Sequence, residues 1–325
     1  MFKALVLEQE DGATRAEVRM LDESSLPNEK VQVAIEYSSL NYKDGLAITG
    51  AGKIINQFPM VPGIDLAGTV IRSEDDRFQP GQAVVLTGWG VGERYWGGFA
   101  ERANLNPDWL VPLPSGLSPR EAMVIGTAGL TAMLCVMALE DGGVTPTSGP
   151  ILVTGASGGV GSVAIALLAQ LGYEVVAGTG RPEGEEYLKR LGADSIRLRD
   201  EMAAPSRPLE KQLWAGVIDT VGDQVLARAL AETRYGGVVA ACGLAGGVKL
   251  PTTVMPFILR NVRLQGVDSV MCPTTQRIRA WERLQQDLPR EQLQAVEAEI
   301  SLEQLPEYAA RILRGEVRGR TLVAL

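Results

Sequence analysis

The chain contains no histidine. That absence removes every mechanism that uses imidazole as general base, triad member or metal ligand. Ser-His-Asp and Cys-His hydrolases are excluded, along with most catalytic zinc sites, so no metal is expected. Cysteine is scarce as well. Cys135, Cys242 and Cys272 are too few and too scattered for a disulfide framework or a Cys-rich zinc site. Such usage fits a reducing, cytoplasmic compartment. There is no excess of positive charge: 31 Lys and Arg against 39 Asp and Glu leave −8. Such a surface repels phosphate backbones, and no nucleic-acid partner is expected. The opening MFKALVLEQEDG carries Glu8, Glu10 and Asp11 and has no apolar stretch of signal-peptide length, so no secretory signal is expected. One run, Ala122 to Leu139, has 18 uncharged residues, the threshold length for a membrane span. Gly126, Thr127, Gly129 and Thr131 interrupt it, and Glu121, Glu140 and Asp141 flank it in place of basic anchors. A buried helix at a domain junction is expected there, with no membrane association.

What is present is ordinary globular composition. With 325 residues, 46% hydrophobic and 22% charged, the chain should form about two domains with a substantial core. Without imidazole, chemistry must run on a borrowed cofactor or on Tyr, Asp, Glu, Lys, Cys or water. The first third reads as β-structure. Val31, Val33, Ile35 and Tyr37 alternate at period two, and Gly- and Pro-rich turns punctuate the segment at 59–63, 79–81 and 112–116. Ser118, Pro119 and Glu121 then make a helix start ahead of the apolar run. From residue 150, strands (151–155, 173–178, 214–222, 238–243) alternate with helical stretches (160–172, 184–193, 225–237) over short links. That alternation means a parallel, right-handed sheet covered on both faces. A charged helix over 278–288 and a terminal strand, TLVAL, follow, and the last segment is expected to return to the first domain.

Gly155, Gly158 and Gly161 follow one of these strands and open a helix, the context in which such glycines mean dinucleotide binding. Gly155 and Gly158 permit the tight turn and close backbone approach to a pyrophosphate; Gly161 lets helix and strand pack closely. The second strand does not end in the Asp or Glu of an NAD site. It runs into Thr179, Gly180 and Arg181, which suit a 2′-phosphate and predict NADPH.

The set TGASGGVG (154–161), NYKD (41–44), VPGIDLAG (61–68), GWGVGE (88–93), WGGFAE (96–101), CGLAGG (242–247) and GVDSVM (266–271) resembles the zinc-independent medium-chain dehydrogenase/reductases. Within them it is similar to the acrylyl-CoA reductase branch, often labelled quinone oxidoreductases. The likeness runs over nearly the whole chain. It implies an α/β fold in which a GroES-like β-rich catalytic domain (1–122 and 266–325) carries an inserted, doubly wound Rossmann domain (123–265). It also implies NADPH and the reduction of acryloyl-CoA to propionyl-CoA. Zinc relatives carry Gly-His-Glu where this chain has Gly63-Ile64-Asp65. Tyr95 stands where many relatives carry His. Carried over by position, the cofactor contacts would come from Tyr42, Ser157, Gly158, Gly159 and Val160. Thr179, Gly180, Arg181 and Arg199 would surround the adenosine phosphate, and Leu244, Ile258, Ser269 and Gly315 would flank the nicotinamide half or close the cleft.

Hydride addition to a thioester-conjugated alkene throws charge onto the thioester oxygen, which then needs donors. Tyr42 and Asn41 are the candidate donors, with ordered water, and Asp44 is a candidate to orient Tyr42 or Lys43 or to cap a turn. Trp89 and Trp96 are candidate pocket walls. Two other readings stay open: an NADPH-dependent quinone or enone reductase, and a non-catalytic NADPH-binding protein. The expected partner is a small-molecule substrate, acryloyl-CoA or a related enone, and a homodimer is expected.

Overall fold

The computed structural model describes residues 1–291 and 297–325. The chain divides into two compact units, one comprising Met1–Thr127, Ser269–Gln285 and residues 297–325, the other Ala128–Asp268 and residues 286–291.

In the first unit, strands β1 (Phe2–Glu10) and β2 (Ala13–Leu21) form an antiparallel ribbon. The main sheet is built from β3 (Val31–Leu40), β4 (Asp65–Ser73), β5 (Ala83–Thr87), β6 (Arg102–Leu105) and β7 (Val111–Pro112). Two late strands join it, β14 (Glu297–Ile300) and β15 (Arg320–Ala324), giving the order β14-β15-β3-β4-β5-β7 with β6 paired to β3. The period-two pattern in β3 sends Val31, Val33 and Ile35 into a core with Leu66, Val70, Val84 and Leu86. The terminal strand β15 pairs antiparallel with β3, Thr321 opposite Leu40. Between β3 and β4 lies α1 (Tyr42–Thr49), which ends on Gly50 in the left-handed conformation. A later helix, α9 (Leu305–Leu313), follows β14.

Helix α2 (Pro119–Asp141) begins as expected. The Ser118 N–H donates to Glu121 Oε2 at 2.9 Å and the Glu121 N–H to Ser118 Oγ at 3.2 Å, a reciprocal cap. It is the one described helix long and apolar enough to cross a membrane, and 89% of its apolar window is buried within the protein. At Gly126 the backbone leaves the helical region (φ 52°, ψ −160°).

The second unit holds β8 (Ile151–Thr154), α3 (Gly159–Gln170), β9 (Val175–Thr179), α4 (Glu185–Arg190), β10 (Ser195–Leu198), α5 (Arg199–Ala203), β11 (Trp214–Asp219), α6 (Asp223–Glu232), β12 (Thr233–Ala241), α7 (Met255–Arg260) and β13 (Arg263–Gly266). Its six strands are all parallel in the order β10-β9-β8-β11-β12-β13. This is the doubly wound dinucleotide order, with its switch point beyond the carboxyl ends of β8 and β11. One boundary departs from the sequence reading. The stretch 225–237 is helical only to Glu232, and β12 starts at Thr233. Thr233 already pairs with Trp214, and the register then jumps so that Gly216 faces Val238. Arg234 to Gly237 are therefore a bulge, which Gly236 permits at φ 75°.

Candidate active site

Residues that the sequence places far apart converge under the first turn of α1. Asp65, fully buried at the head of β4, accepts from Ser39 Oγ at 2.6 Å, Asn41 Nδ2 at 2.8 Å and the Thr127 N–H at 2.8 Å, and also from Thr127 Oγ1. Arg320, at the start of β15, donates to Ser39 Oγ at 2.7 Å, Asn41 Oδ1 at 3.2 Å and the Val124 carbonyl at 2.9 Å, and stands 3.8 Å from Asp65 Oδ2. Burial pushes the Arg320 guanidinium pKa down, opposed by Asp65 and Asp44. Gly126 completes this cluster because nothing larger fits. A Cβ there would lie 2.5 Å from Arg320 Nη2 and 2.6 Å from Asp65 Oδ2.

The NYKD segment divides its labour. Asn41 is the cap residue before α1, buried, its amide nitrogen already committed to Asp65 and Ser39. Asp44 is buried one turn in, accepting from the Asn41 N–H at 2.9 Å and the Ile64 N–H at 3.1 Å. Burial lifts the Asp44 carboxyl to about 7; its two backbone donors oppose the rise and neighbouring Asp65 adds to it. Tyr42 alone reaches outward, 47% exposed at the first helical position. Lys43 pairs with Glu93 at 2.8 Å. The carboxylate of Asp65, next to Ile64 in the chain, is thus consumed by hydrogen bonds. Among the described residues no three His, Cys, Asp or Glu side chains gather as a metal site.

A second buried cation shapes the neighbouring loop. Arg277 on α8 (Thr274–Asp287) donates to the carbonyls of Thr87, Ser269, Val270 and Cys272 and lies 5.0 Å from the Trp89 ring centroid. Trp89 takes a positive φ of 59°, its N–H donates to the Val270 carbonyl at 3.0 Å, and its buried Nε1 has no partner among the described residues. The predicted cofactor residue Ser269 therefore sits in a segment fixed by Arg277. Gly315 follows α9 at φ 70°.

In the second unit the glycine loop has the geometry a pyrophosphate requires. Gly155 adopts φ 60°, and its missing Cβ leaves room for Thr220 Oγ1. A Cβ on Gly161 would lie 2.5 Å from the Gly155 carbonyl, so helix and turn pack only with glycine. Gly158 caps α3, and Ser157, Gly159 and Val160 are part-exposed beside it. Ser157 Oγ and Thr179 Oγ1 are 3.2 Å apart, and the Arg181 N–H donates to Thr179 Oγ1 at 3.1 Å. The exposed Arg199 opens α5 with its guanidinium against Gly180, where a Cβ would lie 2.7 Å from Cζ. Ser157, Thr179, Gly180, Arg181 and Arg199 thus lie together at the carboxyl ends of β8, β9 and β10, with the Arg199 guanidinium against Gly180. The residues fit a dinucleotide with a 2′-phosphate. Leu244 and Ile258 are not core residues, being 62% and 71% exposed.

The doubly wound sheet, the glycine turn and this group of residues define a dinucleotide-dependent oxidoreductase. Residues 27–115 match the alcohol dehydrogenase GroES-like domain and residues 159–286 the zinc-binding dehydrogenase domain. The chain is 64% identical over 322 residues to a probable acrylyl-CoA reductase of Escherichia coli and 56% identical over 326 residues to an acrylyl-CoA reductase of Ruegeria pomeroyi, each match covering 99% of both chains. A crystal structure of an oxidoreductase from Salmonella enterica in complex with NADP superposes with a TM-score of 0.98 at 64% identity, covering 99% of both chains. The chain belongs to the medium-chain dehydrogenase/reductases, in their quinone oxidoreductase-like branch beside the acrylyl-CoA reductases.

Proposed function

We propose that this enzyme reduces the conjugated double bond of acryloyl-CoA to propionyl-CoA with NADPH. One observation carries the reading: over 99% of its length the chain keeps 64% of the residues of a probable acrylyl-CoA reductase. The group of Thr179, Gly180, Arg181 and Arg199 supports NADPH as the reductant.

When bound, NADPH supplies the hydride that adds to the β-carbon of the alkene. Arg181 and Arg199 bind the 2′-phosphate, and the backbone of Ser157 to Val160, at the positive end of α3, binds the pyrophosphate. Leu244, Ile258, Ser269 and Gly315 would flank the nicotinamide half or close the cleft. Charge develops on the thioester oxygen, where the Tyr42 hydroxyl donates a hydrogen bond, and a proton drawn from solvent completes the α-carbon. Asn41 and Asp44 act through Tyr42: their hydrogen bonds to Asp65, Ser39 and Ile64 fix the first turn of α1 from which it projects. The enzyme works in the cytoplasm as a homodimer, a reading supported by three free thiols and by β13, an edge strand of the six-stranded sheet.

The test is NADPH oxidation by the purified enzyme on adding acryloyl-CoA, with propionyl-CoA as the expected product. Oxidation with quinones alone would make it a quinone reductase. No turnover with either would leave an NADPH-binding protein without catalysis.

A further inference from the structure

The first unit contains a cavity of about 240 Å³ that none of the hydride-transfer residues lines. Its walls include Tyr95, Trp96, Trp109, Arg94, Glu29 and Gln57. The Tyr95 and Trp109 rings lie 4.6 Å apart between centroids at 42°, and Tyr95 is 46% exposed, so the aromatic surface stays open on one side. Arg94 packs its stem against Gly90, and among the described residues its guanidinium has no partner. Other exposed arginines, Arg72 and Arg190 among them, are likewise unpaired among the described residues; what sets Arg94 apart is its place in a cavity wall beside the Tyr95 and Trp109 rings. The acid next to Arg94 in the chain, Glu93, is taken by Lys43. The Glu29 side chain and the Gln57 amide also lack partners among the described residues.

We propose that this cavity binds the adenosine end of coenzyme A. The inference rests on the acyl-CoA reading above and gives its substrate a second point of attachment. Open aromatic faces stack a purine. A free guanidinium pairs with a phosphate. The Glu29 carboxylate accepts from an exocyclic amino group, which adenine has. The volume falls below the ~300–1,000 Å³ of sites that enclose a whole ligand, as suits one end of a long one. The second unit already provides for the adenosine end of the dinucleotide, so a further adenine site calls for a further adenine-bearing ligand. Location agrees. The loop that carries Arg94 is tied to α1 by the Lys43–Glu93 pair, and the Asn56 N–H donates to the Glu93 carbonyl at 3.2 Å. Tyr42 and the cavity wall are thus linked through one ion pair, Lys43 to Glu93.

The test compares kcat/KM of the full enzyme for acryloyl-CoA and for the acryloyl thioester of N-acetylcysteamine, which has no nucleotide. Arg94→Ala and Tyr95→Ala are the variants, both at exposed positions. The wild type should prefer the CoA thioester, and Arg94→Ala should shrink that preference about five- to fiftyfold, the share expected of one charged phosphate contact. Adenosine 3′,5′-bisphosphate should compete with acryloyl-CoA and bind Arg94→Ala about tenfold more weakly. A wild type that turns over both thioesters equally, or a preference that moves less than twofold in both variants, overturns the proposal. If the wild type reduces neither thioester, the activity reading is what fails. Titration of adenosine 3′,5′-bisphosphate into wild type and Arg94→Ala then decides the site by itself: weaker binding to the variant upholds it, and equal binding overturns it.

Discussion

Tyr42 enters α1 at its first position with neighbours held by hydrogen bonds: Asn41 is tied to Asp65 and Arg320, and Asp44 to the backbone of Asn41 and Ile64. In a chain without imidazole, its hydroxyl is the exposed donor of the NYKD segment. Tyr42→Phe keeps the ring and deletes the donor, so NADPH affinity should hold. kcat should fall roughly ten- to a thousandfold, measured where a substrate isotope effect shows that hydride transfer limits the rate. A wild-type kcat would hand the role to water or backbone. Arg181 makes a second residue-scale case. Arg181→Ala should lower the NADPH-over-NADH preference in kcat/KM by about ten- to a hundredfold, the effect of losing one charged phosphate contact. An unmoved preference would make Arg181 a surface residue and leave the phosphate to Arg199. Arg181 could be read directly, because it follows the second strand of a βαβ unit. Arg199 came only through the family resemblance, since its place beside Gly180 depends on β10 lying next to β9. The buried pairing of Asp65 with Arg320 was not foreseen. Their partnership forms only when β15 pairs with β3 at the opposite end of the chain.

Elements with local signals were legible. The Ser118–Glu121 cap announced α2, and the strand–glycine–helix pattern announced β8 and α3. The break at Gly126 was not. Gly126 and Gly129 look alike within one apolar run, and only the first has a positive φ. What selects it is the crowd of Ser39, Asp65 and Arg320 around its Cα. Gly126→Ala would force a side chain into a left-handed conformation, costing about 1–3 kcal/mol. It would also displace a buried ion pair whose disruption costs a further ~3–5 kcal/mol. Denaturant unfolding should therefore show a loss of several kcal/mol, or the variant should fail to fold. An Ala variant as stable as wild type would mean that the cluster yields easily. The early start of β12 was hidden for a different reason. Arg234 to Gly237 continue a helical-looking stretch, and only pairing of Thr233 with Trp214 makes them a bulge.

At the scale of the whole molecule, stability should carry the signature of carboxyls buried without full neutralisation. Burial raises both Asp44, to about 7, and Asp219, which accepts from Thr154 Oγ1 at 2.7 Å and the Gly222 N–H at 2.8 Å. A raised acid binds its proton more tightly in the folded chain than in the unfolded one. Its stabilisation is complete below the ordinary carboxylate range and is lost as pH rises through the folded value. Asp75 and Glu210 act in the opposite sense, both held at about 2 by arginine partners at the surface. Their contribution is present above the ordinary range and is lost as pH falls toward 2. Salt screens these exposed pairs, and between pH 5 and 7.5 they are ionised in both states, so they impose no slope there. The buried acids remain. Unfolding free energy should decline from pH 5 to 7.5, for Asp44 by at most about 1.4 kcal/mol per pH unit, and level off above pH 8. Asp44→Asn keeps one acceptor but turns an amide NH₂ toward a backbone N–H, so it should be less stable than wild type at pH 5. It should also flatten the slope, since the proton that couples folding to pH is gone. Denaturant midpoints of both proteins across this range provide the check. Wild-type stability that climbs from pH 5 to 7.5 would mean that Asp44 is ionised throughout, its charge balanced by Arg320 and the two backbone N–H donors.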